Sequence, residues 1–73
     1  MQKYIREVFS DYELNSNLKN ALIENINLYK KTNSIQINII STMPIGIVDI
    51  ADFEKYIEER FKVNKAFINV KYE

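Results

Sequence analysis

The residues whose types could do chemistry are few, and the clearest group combines aromatic rings with lysines. Tyr29, Lys30 and Lys31 stand together, and Phe67 and Lys71 alternate along a later segment. Aromatic rings stack on unpaired bases, and lysines neutralise phosphates. If two strands place these residues on one sheet face, the pattern predicts a surface for single-stranded nucleic acid. The alternative is a set of ordinary exposed aromatics, or a patch that another part of a larger protein covers.

Carboxylates offer a second possible chemistry. Asp49, Asp52 and Glu54 could hold a hard metal ion, but their spacing suits a helix start, where acidic side chains favour the dipole. The chain has no histidine and no cysteine, so its serines have no histidine base. Gly46 is the single glycine, so neither phosphate-binding glycine motif can be written. We therefore expect no catalytic, cofactor-binding or metal-binding residue in these 73 residues.

A third feature is apolar and has no evident place inside so small a domain. The loop at residues 43–48 contains Ile45 and Ile47, which are difficult to bury here. Either they pack beneath a helix or they contact a partner. The candidate partner-contact residues are Met43, Pro44, Ile45, Ile47 and the unexpectedly apolar Ile40.

Length and charge limit the class of protein. Seventy-three residues make one domain with a thin core, and ten basic residues balance ten acidic ones. Binding dominated by phosphate neutralisation is therefore disfavoured. The chain has neither the long apolar run of a membrane helix nor the apolar region of a secretory signal. We expect a cytoplasmic protein with no membrane partner.

A β-hairpin must position most of these residues. Residues 22–30 and 34–41 alternate apolar and polar side chains, which is typical of half-buried strands. The turn between them contains Asn33, which tolerates the left-handed conformation of tight turns. The residues predicted to face inward are Ile26, Leu28, Ile35, Ile37 and Ile39.

Helical spacing appears before and after the hairpin. Residues 2–12 predict a short helix, and Asn15 or Ser16 could cap a second one. The predicted apolar face of the first helix is Tyr4, Ile5, Val8, Phe9 and Tyr12. A longer helix is expected after Gly46, with Asp49 as its N-cap, Val48 packing on Phe53, and Asn64 at its end. Its predicted inner stripe is Ile50, Phe53, Tyr56, Ile57 and Phe61, and its predicted solvent side is Glu54, Lys55, Glu58 and Glu59.

Residues 65–72 alternate again and predict the last strand. Its predicted inward residues are Ala66, Ile68, Val70 and Tyr72, and its predicted outward residues are Phe67, Asn69 and Lys71. The fold class is α+β: a three-stranded sheet with helices packed on one face, in the order α-(α)-β-β-α-β. The last strand is expected to run parallel to a member of the hairpin.

Three runs carry a resemblance to a known family: IENINLYKKTNSIQINIIS, MPIGIVDIADFEKYIEERF and AFINVKY. Together they resemble the amino-terminal region of the PolC-type α subunit of bacterial DNA polymerase III. The resemblance implies that residues 1–73 are a single non-catalytic domain cut from a much longer chain. It implies a parent that is a DNA-directed DNA polymerase with a 3′-5′ exonuclease and a divalent metal such as Mg.

The resemblance also implies a fold similar to a truncated type II KH domain and a role in protein contacts. The partners would be the rest of the polymerase chain, DNA through the parent, and a clamp-loader or other polymerase-associated subunit. A nucleic-acid-binding KH domain clamps the backbone with a GxxG loop. Here the only candidate is residues 46–49, where Asp49 replaces the second glycine and would repel phosphate, which favours a protein partner.

The leading hypothesis is therefore a protein-interaction module of a replicative polymerase, acting through the loop at residues 43–48 or through the outward sheet face. The alternative is a small module that binds single-stranded nucleic acid through Tyr29, Phe67 and the lysines. A third hypothesis is a free-standing structural or ribosome-associated domain.

Overall fold

The computed structural model describes residues 3–10 and 17–73, except for the side chain of Asn17. The elements in these ranges are β1 (Lys3–Tyr4), α1 (Ile5–Val8), a 3₁₀ turn (Asn17–Asn20), β2 (Leu22–Tyr29), β3 (Ser34–Ser41), α2 (Ile47–Phe61) and β4 (Lys65–Tyr72).

The strands form one four-stranded sheet in the order β1-β2-β3-β4. β1 and β3 each pair antiparallel with β2, and β4 pairs parallel with β3. The α+β class and the parallel last strand are confirmed. The three-stranded sheet is wrong, because Lys3 and Tyr4 pair with Ile23 and Leu22 and add a short fourth strand at the edge.

The first helix is much shorter than residues 2–12. α1 has four residues, because the residues before it are extended, and its main hydrogen bond runs from the amide of Phe9 to the carbonyl of Ile5 at 2.9 Å. Ile5 and Phe9 are buried, as the helical spacing predicted, but Val8 of the same predicted face is 41% exposed, and Tyr12 lies outside the described residues. The predicted caps Asn15 and Ser16 lie outside the described residues.

α2 begins earlier than predicted. Gly46, in an extended conformation, is the N-cap, and its carbonyl accepts a bond from the amide of Ile50 at 3.1 Å. Asp49 is therefore not the cap but lies inside the first turn, where its charge still favours the dipole. Val48 is exposed and does not pack on buried Phe53 as predicted, because the earlier start rotates it to the outside.

α2 also ends earlier, and not at Asn64. Lys62 adopts a left-handed conformation with φ 55°, and the amide of Val63 bonds to the carbonyl of Glu58 at 3.2 Å. The left-handed conformation of Asn33 is confirmed at φ 51°. The amide of Asn64 donates to the carbonyl of Asn33 at 2.7 Å, so it joins the hairpin turn to the start of β4.

One core lies between the sheet and the helices. Phe53 and Ile57 of α2 are fully buried, Ile50 and Tyr56 pack beside them, and Phe61 remains partly exposed. Phe9 joins the segment of α1 to α2, because its ring meets the rings of Phe53 and Tyr56 edge to face. The remaining buried apolar residues include Leu18, Ala21, Ile23, Ile35, Ile37, Ile39, Ile45, Ala66 and Ile68.

The prediction that Ile26 and Leu28 belong to the core is wrong, although the predicted face is correct. They lie opposite Ile37 and Ile35 and therefore face the helix side, but they are 43% and 67% exposed. On that same face, α2 packs against β4, at the opposite edge of the sheet, and leaves this part of β2 uncovered. The alternation gave the correct face but not the half of the sheet that the helix covers.

Two glutamates that were predicted to face solvent instead bind the edge strand. Carboxylate oxygens of Glu58 and Glu54 accept bonds from the backbone amides of Ala66 and Ile68, each at 3.0 Å. Four helical residues advance about 6 Å and two strand residues about 6.6 Å, so the two carboxylates match alternate amides of an antiparallel strand. An exposed edge strand is a template for aggregation, and these bonds occupy donors of β4 that point away from β3.

Replacing Glu54 and Glu58 together by alanine is expected to lower the free energy of unfolding by about 1–3 kcal/mol, because two hydrogen bonds to charged acceptors are lost at a partly wet site. Amide hydrogen exchange is the sharper measurement: exchange should accelerate at Ala66 and Ile68. Glu59→Ala, on the exposed side of the same helix, is the matched control. Unchanged exchange at both amides in the double variant would contradict the two bonds.

Candidate interaction surfaces

The outward sides of β2, β3 and β4 form one surface, here called the outer sheet face. The register places Asn25 beside Asn38 and Asn38 beside Asn69, so three asparagines cross three strands in a row. Gln36 lies beside Phe67 in the neighbouring row. This face lies opposite the helices, because α2 packs on the other side.

Hydrogen bonds join the amide side chains of the outer sheet face into one network. The amide nitrogen of Asn38 donates to the oxygen of Asn25 at 2.5 Å, and that of Asn69 donates to the oxygen of Asn38 at 3.1 Å. Gln36 also donates to Asn38, at 3.3 Å, and accepts the hydroxyl of Tyr29 at 2.8 Å. These bonds fix the orientations of the amides and hold Tyr29 against the sheet.

The structure brings together the aromatic residues that the sequence singled out. Tyr29 and Phe67 both lie on the outer sheet face, each 45% exposed, on either side of Gln36. Lys71 is outward on β4, and Lys30 and Lys31 are exposed in the hairpin turn. Lys65, which was not predicted, places its ammonium 5.9 Å from the centre of the Phe67 ring.

Charge is separated between the two sides of the domain. Among the outward positions of β2 after the bulge, of β3 and of β4, the charged residues are Lys65 and Lys71, and none is acidic. α2, on the opposite side, has five carboxylates against Lys55 and Arg60. The net charge of zero therefore combines a basic outer sheet face with an acidic helix α2.

A second, apolar surface lies at the end of the domain where β3 leads into α2. Its exposed members are Met43, Pro44, Ile47, Val48 and Tyr72, here called the loop-helix surface. Ile47 and Val48 are 84% and 71% exposed, which is unusual for large apolar side chains.

Hydrogen bonds hold the loop of this surface in place. The hydroxyl of Ser41 donates to the carbonyl of Met43 at 2.6 Å and accepts its amide at 3.1 Å. The hydroxyl of Tyr72 accepts the amide of Ile45 at 3.4 Å. Ile45 itself is buried, contrary to the expectation that it is difficult to bury, and it anchors the loop in the core.

Ile40 does not join the loop-helix surface. It lies half-buried on the outer sheet face, between Leu22 of β2 and Lys71 of β4. The sequence-predicted partner contacts are therefore divided over two surfaces and the core.

The acidic residues of α2 do not form a metal-binding group. Within residues 3–10 and 17–73, no three carboxylate, histidine or cysteine side chains cluster closely enough to hold a metal ion. Glu54 instead bonds to the amide of Ile68. No helix among the described residues is long and apolar enough to cross a membrane.

A comparison with family models gives one match: the model described as DNA polymerase III polC-type N-terminus I matches residues 1–72. The chain belongs to this family. Searches of the curated proteins and of the solved structures gave no match. The polC-type N-terminus I family confirms the resemblance carried by the three sequence runs, and it assigns the chain to a DNA polymerase III α subunit and to DNA replication.

Several residues of these surfaces in the polC-type domain were missed from the sequence. Amides recur at alternate positions of β2 and β3, and β4 adds Asn69; that pattern could have indicated the network, but the register that aligns Asn25, Asn38 and Asn69 depends on a bulge. Tyr72 was predicted to face inward, and no local signal shows that it ends beside the loop at residues 43–48.

Proposed function

We propose that this polC-type domain is a non-catalytic module through which the polymerase holds another replisome protein, such as a clamp-loader or other polymerase-associated subunit. The observation that carries the proposal is the loop-helix surface. Large apolar side chains exposed together mark interaction sites. This surface is also fixed in shape, because the bonds of Ser41 and Tyr72 and the burial of Ile45 hold its loop.

The chemistry of the parent polymerase would then lie in other segments. DNA-templated synthesis, 3′-5′ exonuclease activity and a divalent metal such as Mg are assigned in this proposal to the parent. The domain would work in the cytoplasm, where the replisome assembles. The lack of histidine and cysteine in the chain supports a binding role, since the commonest general base and the strongest nucleophile are missing.

A truncated type II KH fold remains part of the proposal. The parallel pairing of β4 with β3 and the helices on one side of the sheet support it. The position of a GxxG loop is taken by Gly46 and the first turn of α2, with Asp49 inside that turn. A KH-type clamp on phosphates is not part of the proposal, because this carboxylate would repel them.

The test is titration of the 73-residue chain with each purified clamp-loader subunit from the same organism. Ile47→Lys with Val48→Lys is expected to weaken binding at least about 10-fold, because two exposed apolar contacts become charged. The matched control is Ile26→Lys with Leu28→Lys, which alters exposed apolar residues of β2. Equal weakening by both double variants, or no binding by any subunit, would argue against the loop-helix surface.

A further inference from the structure

The outer sheet face combines two exposed rings with a row of fixed amides. Tyr29 and Phe67 lie about 12 Å apart, estimated as two strand spacings across and two residues along the sheet. Each is nearly half exposed, and the two lie on either side of Gln36. The ammonium of Lys65, 5.9 Å from the centre of the Phe67 ring, lies on an exposed, long side chain. Unpaired bases stack on such rings whatever their sequence.

The charge of this face suits a polyanion better than the net charge suggests. Lys65 and Lys71 lie on it, Lys30 and Lys31 border it in the hairpin turn, and no acidic side chain occupies its positions on β3 or β4. Of the five carboxylates of α2, those of Glu54 and Glu58 lie at the edge of β4, where they accept backbone amides, and the other three are on the helix behind the sheet. Local charge, and not the zero sum over the chain, determines the attraction of a bound strand.

The amide network supplies hydrogen-bonding groups without mobile side chains. A primary amide has two N–H donors and one oxygen. Asn69 uses one donor to bind Asn38, and Asn38 uses one donor to bind Asn25, so each retains a second donor. Base edges present both donors and acceptors, and amide side chains pair with them.

We propose that the outer sheet face binds single-stranded nucleic acid. Two bases stack on Tyr29 and Phe67, and the amides of Asn38 and Asn69 contact base edges. The backbone phosphates pair with four lysines, namely Lys30, Lys31, Lys65 and Lys71. This activity is separate from the loop-helix surface and from its protein partner. Duplex nucleic acid does not suit the face, because paired bases cannot stack on protein rings.

The test is a fluorescence titration of the 73-residue chain with labelled dT15 and U15 in 50 mM salt, with a 15-base-pair duplex as comparison. Both single strands are expected to bind, and the duplex at least about 10-fold more weakly. Phe67→Leu is expected to weaken single-strand binding by about 5- to 150-fold, the range that corresponds to one stacked base.

Matched variants test whether the rings of Phe67 and Tyr29, and not a general loss of structure, account for the weaker binding. Phe61→Leu changes a phenylalanine of nearly equal exposure, 46%, on the helix side, and it is expected to leave binding unchanged. Tyr29→Phe retains the ring and removes the hydroxyl that bonds to Gln36, so binding should persist, whereas Tyr29→Leu should weaken it. Circular dichroism of each variant checks that the fold is retained.

Salt dependence gives an independent readout. Single strands release about 0.7 counterion per neutralised phosphate, so contacts from three or four lysines predict a slope of log K on log salt of about −2 to −3. Lys65→Gln with Lys71→Gln should reduce that slope by about half, and Lys55→Gln on α2 should not change it.

Three results would overturn the inference. The first is no binding of dT15 or U15 at 50 mM salt. The second is equal weakening by Phe67→Leu and Phe61→Leu, which would place the site elsewhere. The third is concentration-dependent self-association that Phe67→Leu abolishes while the single strands do not bind, which would make this face an interface with a second copy.

Discussion

Phe9→Ala is expected to lower the free energy of unfolding by about 3–5 kcal/mol, the usual cost of removing a buried phenylalanine ring. The Phe9 ring lies 5.4 Å from the ring of Phe53 and 6.2 Å from those of Tyr56 and Phe61, edge to face in each case. Among the described residues, the other rings of this cluster all belong to α2, and Phe9 is the ring that the segment of α1 adds. Its removal therefore leaves a cavity between α1 and α2.

The size of that loss is large for a domain of this length. At about 0.05–0.15 kcal/mol per residue, 73 residues are stable by only about 4–11 kcal/mol. Urea unfolding followed by circular dichroism measures the effect, and the control is Val8→Ala, the exposed neighbour in sequence. Exposed substitutions usually change stability by about 0.5 kcal/mol or less. Equal losses for the two variants would mean that α1 does not pack on α2 through Phe9.

Ile37→Ala is expected to cost about 2–5 kcal/mol, and Ile26→Ala less than about 1 kcal/mol. The two isoleucines lie directly opposite each other on β3 and β2 and face the same side of the sheet. Ile37 is fully buried, whereas Ile26 remains 43% exposed because α2 packs against β4 and leaves this part of β2 uncovered. The two variants therefore compare the same substitution at a buried and at a partly exposed position of the same sheet face.

Urea unfolding again measures both variants, with the slope on denaturant compared to check that the unfolding transition is unchanged. A cost for Ile26→Ala equal to that for Ile37→Ala would contradict the uncovered strip on β2. It would mean that another surface packs on Ile26 in solution. Sedimentation at two concentrations would then distinguish a second copy from a segment of the same chain.

The strands were predictable because their signal is local. Alternation of apolar and polar residues gave β3 and β4 at their observed bounds and β2 to within one residue. Turn chemistry did the same for the left-handed Asn33. A period of two is set by the backbone itself, so it persists whatever packs above the sheet.

The failures concern features that tertiary contacts decide. The spacing from Tyr4 to Val8 is helical, yet pairing with β2 makes Lys3 and Tyr4 a strand. Glu54 and Glu58 have the pattern of a solvent face, and only the position of β4 gives their carboxylates two amides to accept. Those contacts join residues 8 and 14 positions apart, which no local window contains.

The candidate surfaces were predictable by residue type more than by arrangement. Tyr29, Phe67 and Lys71 were correctly placed on one outward face, because alternation fixes the side to which each points. The amide network was not predicted, because it requires the register of three strands. The separation of Ile40 from the loop-helix surface was not predicted either, because it depends on the face of β3 to which Ile40 points.

The register of β2 shifts between Ile23 and Asn25, where Glu24 has no counterpart on β3. Ile23 and Ile26 can both face the helix side only because this one surplus residue reverses the alternation between them. A chain shortened by Glu24 would keep every other side chain of the strand on its present face. Loss of one residue between Ile23 and Ile26 should therefore be tolerated, whereas loss of one residue elsewhere in β2 would exchange the two faces of the strand beyond it.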